Sequence, residues 1–159
     1  MVKKGSEISL ADYDAEPDLN SLMKEVMRVH APVSRLGIRK VIKDFKLLDL
    51  KVKKDTLISV CISSLHNDPL VYSNPEKFNP DRFKEGAKDS RPGYGYAPFS
   101  HGYRDCIGRN FGELMVKIIV LNVVKNFIIN QPKNISYNKI IDLGLAVEFP
   151  NVELKARND

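Results

Sequence analysis

The chain has 159 residues, 43% hydrophobic and 28% charged, a balance that suits one folded domain with a core and excludes disorder throughout. Its 25 basic and 20 acidic residues leave a net charge of +5, too mild to demand a nucleic-acid partner. No apolar run approaches the roughly 18 residues that cross a bilayer, and the two cysteines, Cys61 and Cys106, lack the paired spacing of a zinc site or a disulfide framework.

Residues 1–18 are polar and acidic and predict a loose lead-in. From Leu19 to His30, Leu19, Leu22, Met23, Val26 and Val29 recur at three- and four-residue intervals, the pattern of a helix with one buried face that Pro32 ends. Between Ile38 and Ile62 the apolar residues come in short β-branched runs broken by Lys-Asp turns, which predicts antiparallel strands; Cys61, flanked by Val60 and Ile62, reads as buried strand packing. His66 to Gly108 is a long irregular stretch with Pro69, Pro75, Pro80, Pro92 and Pro98, and its aromatic residues favour an ordered wrap over a linker. A second helical face runs from Ile107 to about Phe127. Ile140 to Phe149 partly alternates, as a closing hairpin would. The expected fold is α+β and mainly helical, with two main helices, a small antiparallel sheet and a long cysteine loop. Residues 1–18 form the lead-in, 19–150 a partial domain and 151–159 a carboxyl-terminal tail.

Chemistry concentrates in Phe99-Ser100-His101-Gly102-Tyr103-Arg104-Asp105-Cys106-Ile107-Gly108, where a glycine-rich loop delivers one thiol to the start of a helical segment. Backbone N–H groups at a helix start stabilise a thiolate, and Gly102 and Gly108 leave clearance for a large flat ligand. An incidental buried thiol is the alternative, and it leaves the clustered Gly, Arg and Gly unexplained. Glu25 and Arg28 form E-x-x-R on the first helix, on one face and close enough to pair; alone, such a pair is usually a solvated surface contact.

The run F-x-x-G-x-R-x-C-x-G closely resembles the haem-thiolate signature, and from about Leu19 to Glu148 the chain resembles the carboxyl-terminal part of the cytochrome P-450 family. The resemblance implies haem (iron protoporphyrin IX) with Cys106 as the metal ligand, Phe99 shielding the thiolate, Arg104 meeting a propionate and Gly108 giving clearance. Arg39 would hold a second propionate, with Arg35 as a competitor. Glu25, Arg28 and Arg82, the last in Asn79-Pro80-Asp81-Arg82-Phe83, would form a structural network that fixes the cysteine loop. A thiolate pushes electron density to the iron and favours O–O cleavage. The implied reaction inserts one oxygen atom of O2 into a small hydrophobic substrate, contacted here by Leu36, Ile38, Leu143 and Leu145. Electrons would come from a reductase or small redox protein, docked on Lys84, Lys88, Arg91 and Arg109 unless these are simply solvated. His101 lies too near Cys106 to reach the opposite haem face and reads as a hydrogen-bonding loop residue. His30 and His66 have no metal-ligand spacing, and Tyr94-Gly95-Tyr96 belongs to no recognisable nucleic-acid module.

The family's A/G-G-x-D/E-T/S run, which delivers protons to bound dioxygen, does not occur in these 159 residues. One expectation is therefore a truncated, catalytically inactive remnant that binds haem loosely or serves as an interaction module. Another is a separate amino-terminal segment that complements the chain. Members of the family in nucleated cells are commonly anchored in the endoplasmic-reticulum membrane; no signal or anchor is visible here, and localisation stays open.

Overall fold

The computed structural model describes residues 16–87, 92–130, 139–141, 145–147 and 152–157. Helix α1 (Pro17–Val29) opens two residues ahead of the apolar period, because Pro17 suits the first helical turn and Asp18 complements its positive end. Its buried face carries Leu19 and Met23, but also Ser21, Glu25 and Arg28.

Four short strands follow: β1 (Arg39–Lys40), β2 (Phe45–Leu47), β3 (Leu50–Val52) and β4 (Leu57–Ile58). They pair antiparallel as two separate ladders, β1 with β4 and β2 with β3, the latter turning at Leu48 with φ 50. Helix α2 (Ile62–His66) starts where strand packing was expected at Cys61. The chain changes from extended to helical there, so the buried position falls to Ile62, whereas Cys61 is half-exposed and forms an isolated bridge with Arg35. Ser64 hydrogen-bonds its sulfur from Oγ at 3.1 Å, and the Ser64 hydroxyl and amide hold the Cys61 thiol below its usual pKa.

Among the described residues of the proline-rich stretch, two 3-10 turns form, Pro80–Phe83 and Gly102–Arg104. Asn79 caps the first, its side-chain oxygen accepting from the Asp81 N–H at 3.1 Å. Helix α3 (Arg109–Asn126) runs straight into strand β5 (Phe127–Asn130). Strands β6 (Lys139–Ile141) and β7 (Leu145–Val147) pair as the closing hairpin. Strand β8 (Glu153–Ala156) pairs antiparallel with β5, so what reads as a tail returns to the end of α3.

The largest fully buried side chains are Arg28, Tyr72, Ile62, His66 and Glu25, so the tightest part of the interior is ionic and aromatic. An apolar cluster of Ala31, Ile62 and Ala97 lies beside it, with Leu36 and Leu65 packed on its edge. On α3, by contrast, Phe111, Met115, Val116, Ile119 and Val124 are all exposed. No helix among the described residues is long and apolar enough to cross a membrane.

Candidate functional site

The ionic centre is built on α1. Three-residue spacing sets Glu25 and Arg28 on one face, and Arg28 grips both carboxylate oxygens, Nε to Oε2 at 2.8 Å and Nη2 to Oε1 at 2.9 Å. Glu25 Oε1 also accepts the Asn79 N–H at 2.7 Å and Arg82 Nε at 3.3 Å. The remaining donors go to carbonyls: Arg28 to His66 at 2.9 Å and Lys77 at 3.2 Å, and Arg82 to Ser73 at 3.2 Å, Asn74 at 3.3 Å and Lys77 at 3.2 Å. Both guanidinium groups also lie over the Tyr72 ring, at 5.2 and 6.0 Å. Burial disfavours the Glu25 charge, but the Arg28 and Asn79 hydrogen bonds and the two guanidinium charges outweigh it and hold the carboxyl below its ordinary pKa.

The cysteine loop is closed by its own backbone. The Cys106 N–H donates to the Phe99 carbonyl at 2.9 Å, and the Arg109 N–H to the Cys106 carbonyl at 3.3 Å. Cys106 therefore stands in a turn ahead of α3, and Gly108, not the thiol, is the residue at the helix cap. Ser100 has φ 68, a left-handed conformation that costs a non-glycine residue about 1–2 kcal/mol. Its N–H bonds Ala97 O at 3.1 Å, and its carbonyl accepts Arg109 Nη2 at 3.2 Å. Sequence gave no hint of this strain, because serine has no marked preference for that region. Arg109, expected on a docking face, lies over the Phe99 ring at 5.6 Å and within 3.4 Å of Asp105. Lys84 is likewise paired, with Asp81 at 2.8 Å and Asp18 at 3.4 Å; Lys88 and Arg91 lie outside the described residues. His101 donates from Nε2 to the Tyr96 carbonyl at 2.9 Å.

Cys106, Phe99, Arg104, Arg39 and Leu36 line one groove of about 390 Å³, whose walls also include Met27, Pro32, Val33 and Pro98. A second groove of about 460 Å³ shares Leu36, Gly37, Arg39, Ser100 and Arg104 with it. Arg39 bonds only the Gly37 and Ile38 carbonyls, at 3.1 and 3.3 Å, and Arg104 has no hydrogen-bond or ion-pair partner among the described residues. A Cβ at Gly108 would stand 3.9 Å from the Cys106 sulfur, an ordinary van der Waals contact. Cys106 itself is exposed. An open thiol, two guanidinium groups without a carboxylate and an apolar wall suit a flat apolar ligand with a thiophilic metal and anionic substituents. These residues therefore fit haem. Ile38 lines neither groove, Leu143 lies outside the described residues, and of Leu145 only the backbone in β7 is described.

A sequence model of the family described as Cytochrome P450 matches residues 1–155. Cytochrome P450 6k1 of Blattella germanica is 35% identical over 118 residues, 73% of this chain and 22% of the relative. Putative cytochrome P450 120 of Synechocystis sp. is 35% identical over 122 residues, 76% of the chain and 27% of the relative. Thromboxane-A synthase of Mus musculus is 33% identical over 111 residues, 70% and 21%. The chain thus spans about a quarter of the length of these relatives. Among solved structures, retinoic acid-bound cyanobacterial CYP120A1 superposes with a TM-score of 0.86 at 26% identity, covering 98% of this chain and 36% of that one. The haem domain of cytochrome P450DA gives 0.89 at 19% identity, over 96% and 34%, a likeness of fold alone.

Proposed function

The chain belongs to the cytochrome P450 family, with haem as its cofactor and part of that family's fold, and we propose that it forms the thiolate side of the haem site in a monooxygenase. The observation that carries this reading is the single groove that gathers the Cys106 thiol, the Arg39 and Arg104 guanidinium groups and an apolar wall. Cys106 would bind the iron, and Arg39 and Arg104 would pair with the propionates. Phe99, held under Arg109, would screen one side of the sulfur. Bound haem supplies the redox chemistry by which one oxygen atom of O2 enters a hydrophobic organic substrate.

The chain's own contribution is to hold the sulfur at a fixed place, through the Cys106 N–H bond to the Phe99 carbonyl, and to leave it open to the groove. Proton delivery and exclusion of water on the opposite side fall to residues outside this chain, in keeping with a span of about a quarter of its relatives. A complementing amino-terminal segment, an electron-donating reductase or small redox protein, and a small hydrophobic substrate are the partners this reading requires. The test is spectroscopic. Purified chain with haemin, dithionite and carbon monoxide is expected to give the thiolate-type Soret band, lost in Cys106→Ala and kept in Cys61→Ala. Absence of that band from the unaltered chain, or its survival in Cys106→Ala, refutes the assignment of the ligand.

A further inference from the structure

His66, the last residue of α2, is buried completely, and the proposed function makes no use of it. It is joined to the molecule at two ends. Its carbonyl accepts Arg28 Nη1 at 2.9 Å, and its ring Nε2 accepts the main-chain N–H of Ala97 at 3.0 Å. Because a backbone N–H can only donate, Nε2 bears no proton and the ring's hydrogen resides on Nδ1.

The ring is held in place from two directions. Tyr96 stacks on it with centroids 5.3 Å apart and planes at 16°, and Tyr72 meets it edge-on at 6.3 Å. Both tyrosines are themselves tethered: Tyr72 donates to the Gly95 carbonyl at 2.9 Å, and Tyr96 to the Lys24 carbonyl of α1 at 3.2 Å. Beyond Ala97 the chain turns through Ser100, whose N–H bonds the Ala97 carbonyl, and Phe99, whose carbonyl holds the Cys106 N–H.

We propose that His66 is the positioning residue that carries the placement of the Glu25–Arg28–Arg82 network to the Cys106 loop, through its neutral ring nitrogen and the Ala97 amide. Ala97 is 5% exposed, so loss of the acceptor strands a buried donor, and the segment must shift to rehydrate it. The inference deepens the assignment of Cys106 as ligand and rests on it for its spectroscopic part only.

The test compares His66→Phe, which keeps an aromatic ring against Tyr96 and removes the acceptor, with His66→Gln, which restores an acceptor oxygen. In the full chain without haem, His66→Phe is expected to speed hydrogen exchange at the Ala97 and Cys106 amides by about tenfold, with α1 amides unchanged, and His66→Gln to recover most of it. With haemin, dithionite and carbon monoxide, the thiolate-type band should weaken in His66→Phe and return in His66→Gln. Unchanged exchange at both amides, or an equal rise in α1 and the loop, makes His66 mere packing and overturns the proposal. Nitrogen NMR of the unaltered chain decides the matter even if His66→Phe fails to fold. A proton on Nε2, or no coupling across the Ala97 N–H···Nε2 bond, refutes the proposal. If the unaltered chain gives no thiolate band, the ligand assignment fails, while the exchange and NMR results still judge His66.

Discussion

Glu25 carries its charge in a place from which water is excluded, and it keeps that charge because four donors converge on two oxygens. Removing one partner of such a pair is expensive, about 3–5 kcal/mol, since the other charge is left buried and alone. The carboxyl also links stability to pH. Its folded pKa lies below the ordinary 4.5, so its contribution is complete above that value and is lost as pH falls through the depressed folded one. Thermal unfolding followed from neutral pH into acid should therefore show a falling Tm below about pH 5. Glu25→Gln should have a lower Tm at neutral pH and a flatter pH dependence; an equal slope in both would show that the carboxylate is not linked to folding. The Glu25–Arg28 pairing could be read from the E-x-x-R spacing, because a helix fixes which residues share a face. Arg82 was legible only by resemblance, since its partners are 57 residues away or are carbonyls. His66 was not legible at all. A carbonyl and a ring nitrogen that each take one backbone-directed or guanidinium donor leave no periodic trace in the sequence.

Two glycines of the cysteine-loop region do different work, and substitution separates them. Gly102 has φ +80 with open space around a built Cβ, so Gly102→Ala meets only a backbone penalty of about 1 kcal/mol. Gly95 is buried, and a Cβ there would stand 2.9 Å from Val71 Cγ1 and 3.1 Å from the Pro92 carbonyl. That carbonyl is pinned, since it accepts the Gly95 N–H at 2.7 Å, so Gly95→Ala should cost about 1–3 kcal/mol. Adding Val71→Ala should recover part of the loss but not the Pro92 clash. Urea unfolding of the three variants checks the order, and a costlier Gly102→Ala would contradict the geometry. Among elements, both long helices and the strand pairs of residues 39–58 followed from apolar period and turn residues. The ladder of β5 with β8 did not, because the apolar residues Leu121, Val123, Val124, Phe127, Ile128 and Ile129 run from α3 into β5 with no Gly or Pro between them to mark the boundary. Its overlooked signal was the pair Ile128-Ile129, β-branched where the helix period ends, together with the alternation of Val152 and Leu154.

As a whole, the molecule exposes 12401 Å², against about 8,000 Å² for a compact protein of this size. Ile107 and Tyr103 beside the thiol are fully exposed, and Phe111 on α3 is 70% exposed. The sequence did not show which apolar surfaces would be bare, since a helix apolar on several sides does not say which of them is covered. The ionic core also has a direction in time. Every residue of the Glu25–Arg28–Arg82 network, and His66 with it, precedes Cys106 in the chain, Arg82 by some two dozen positions. At ordinary rates of synthesis, about 1–5 s separate the emergence of the two from the ribosome. The residues of the clamp have thus all been made before the loop that the proposal has them position. Stalled nascent chains with Arg82 exposed and Cys106 still in the tunnel should already resist proteolysis around Arg28, and should lose that resistance in Glu25→Gln.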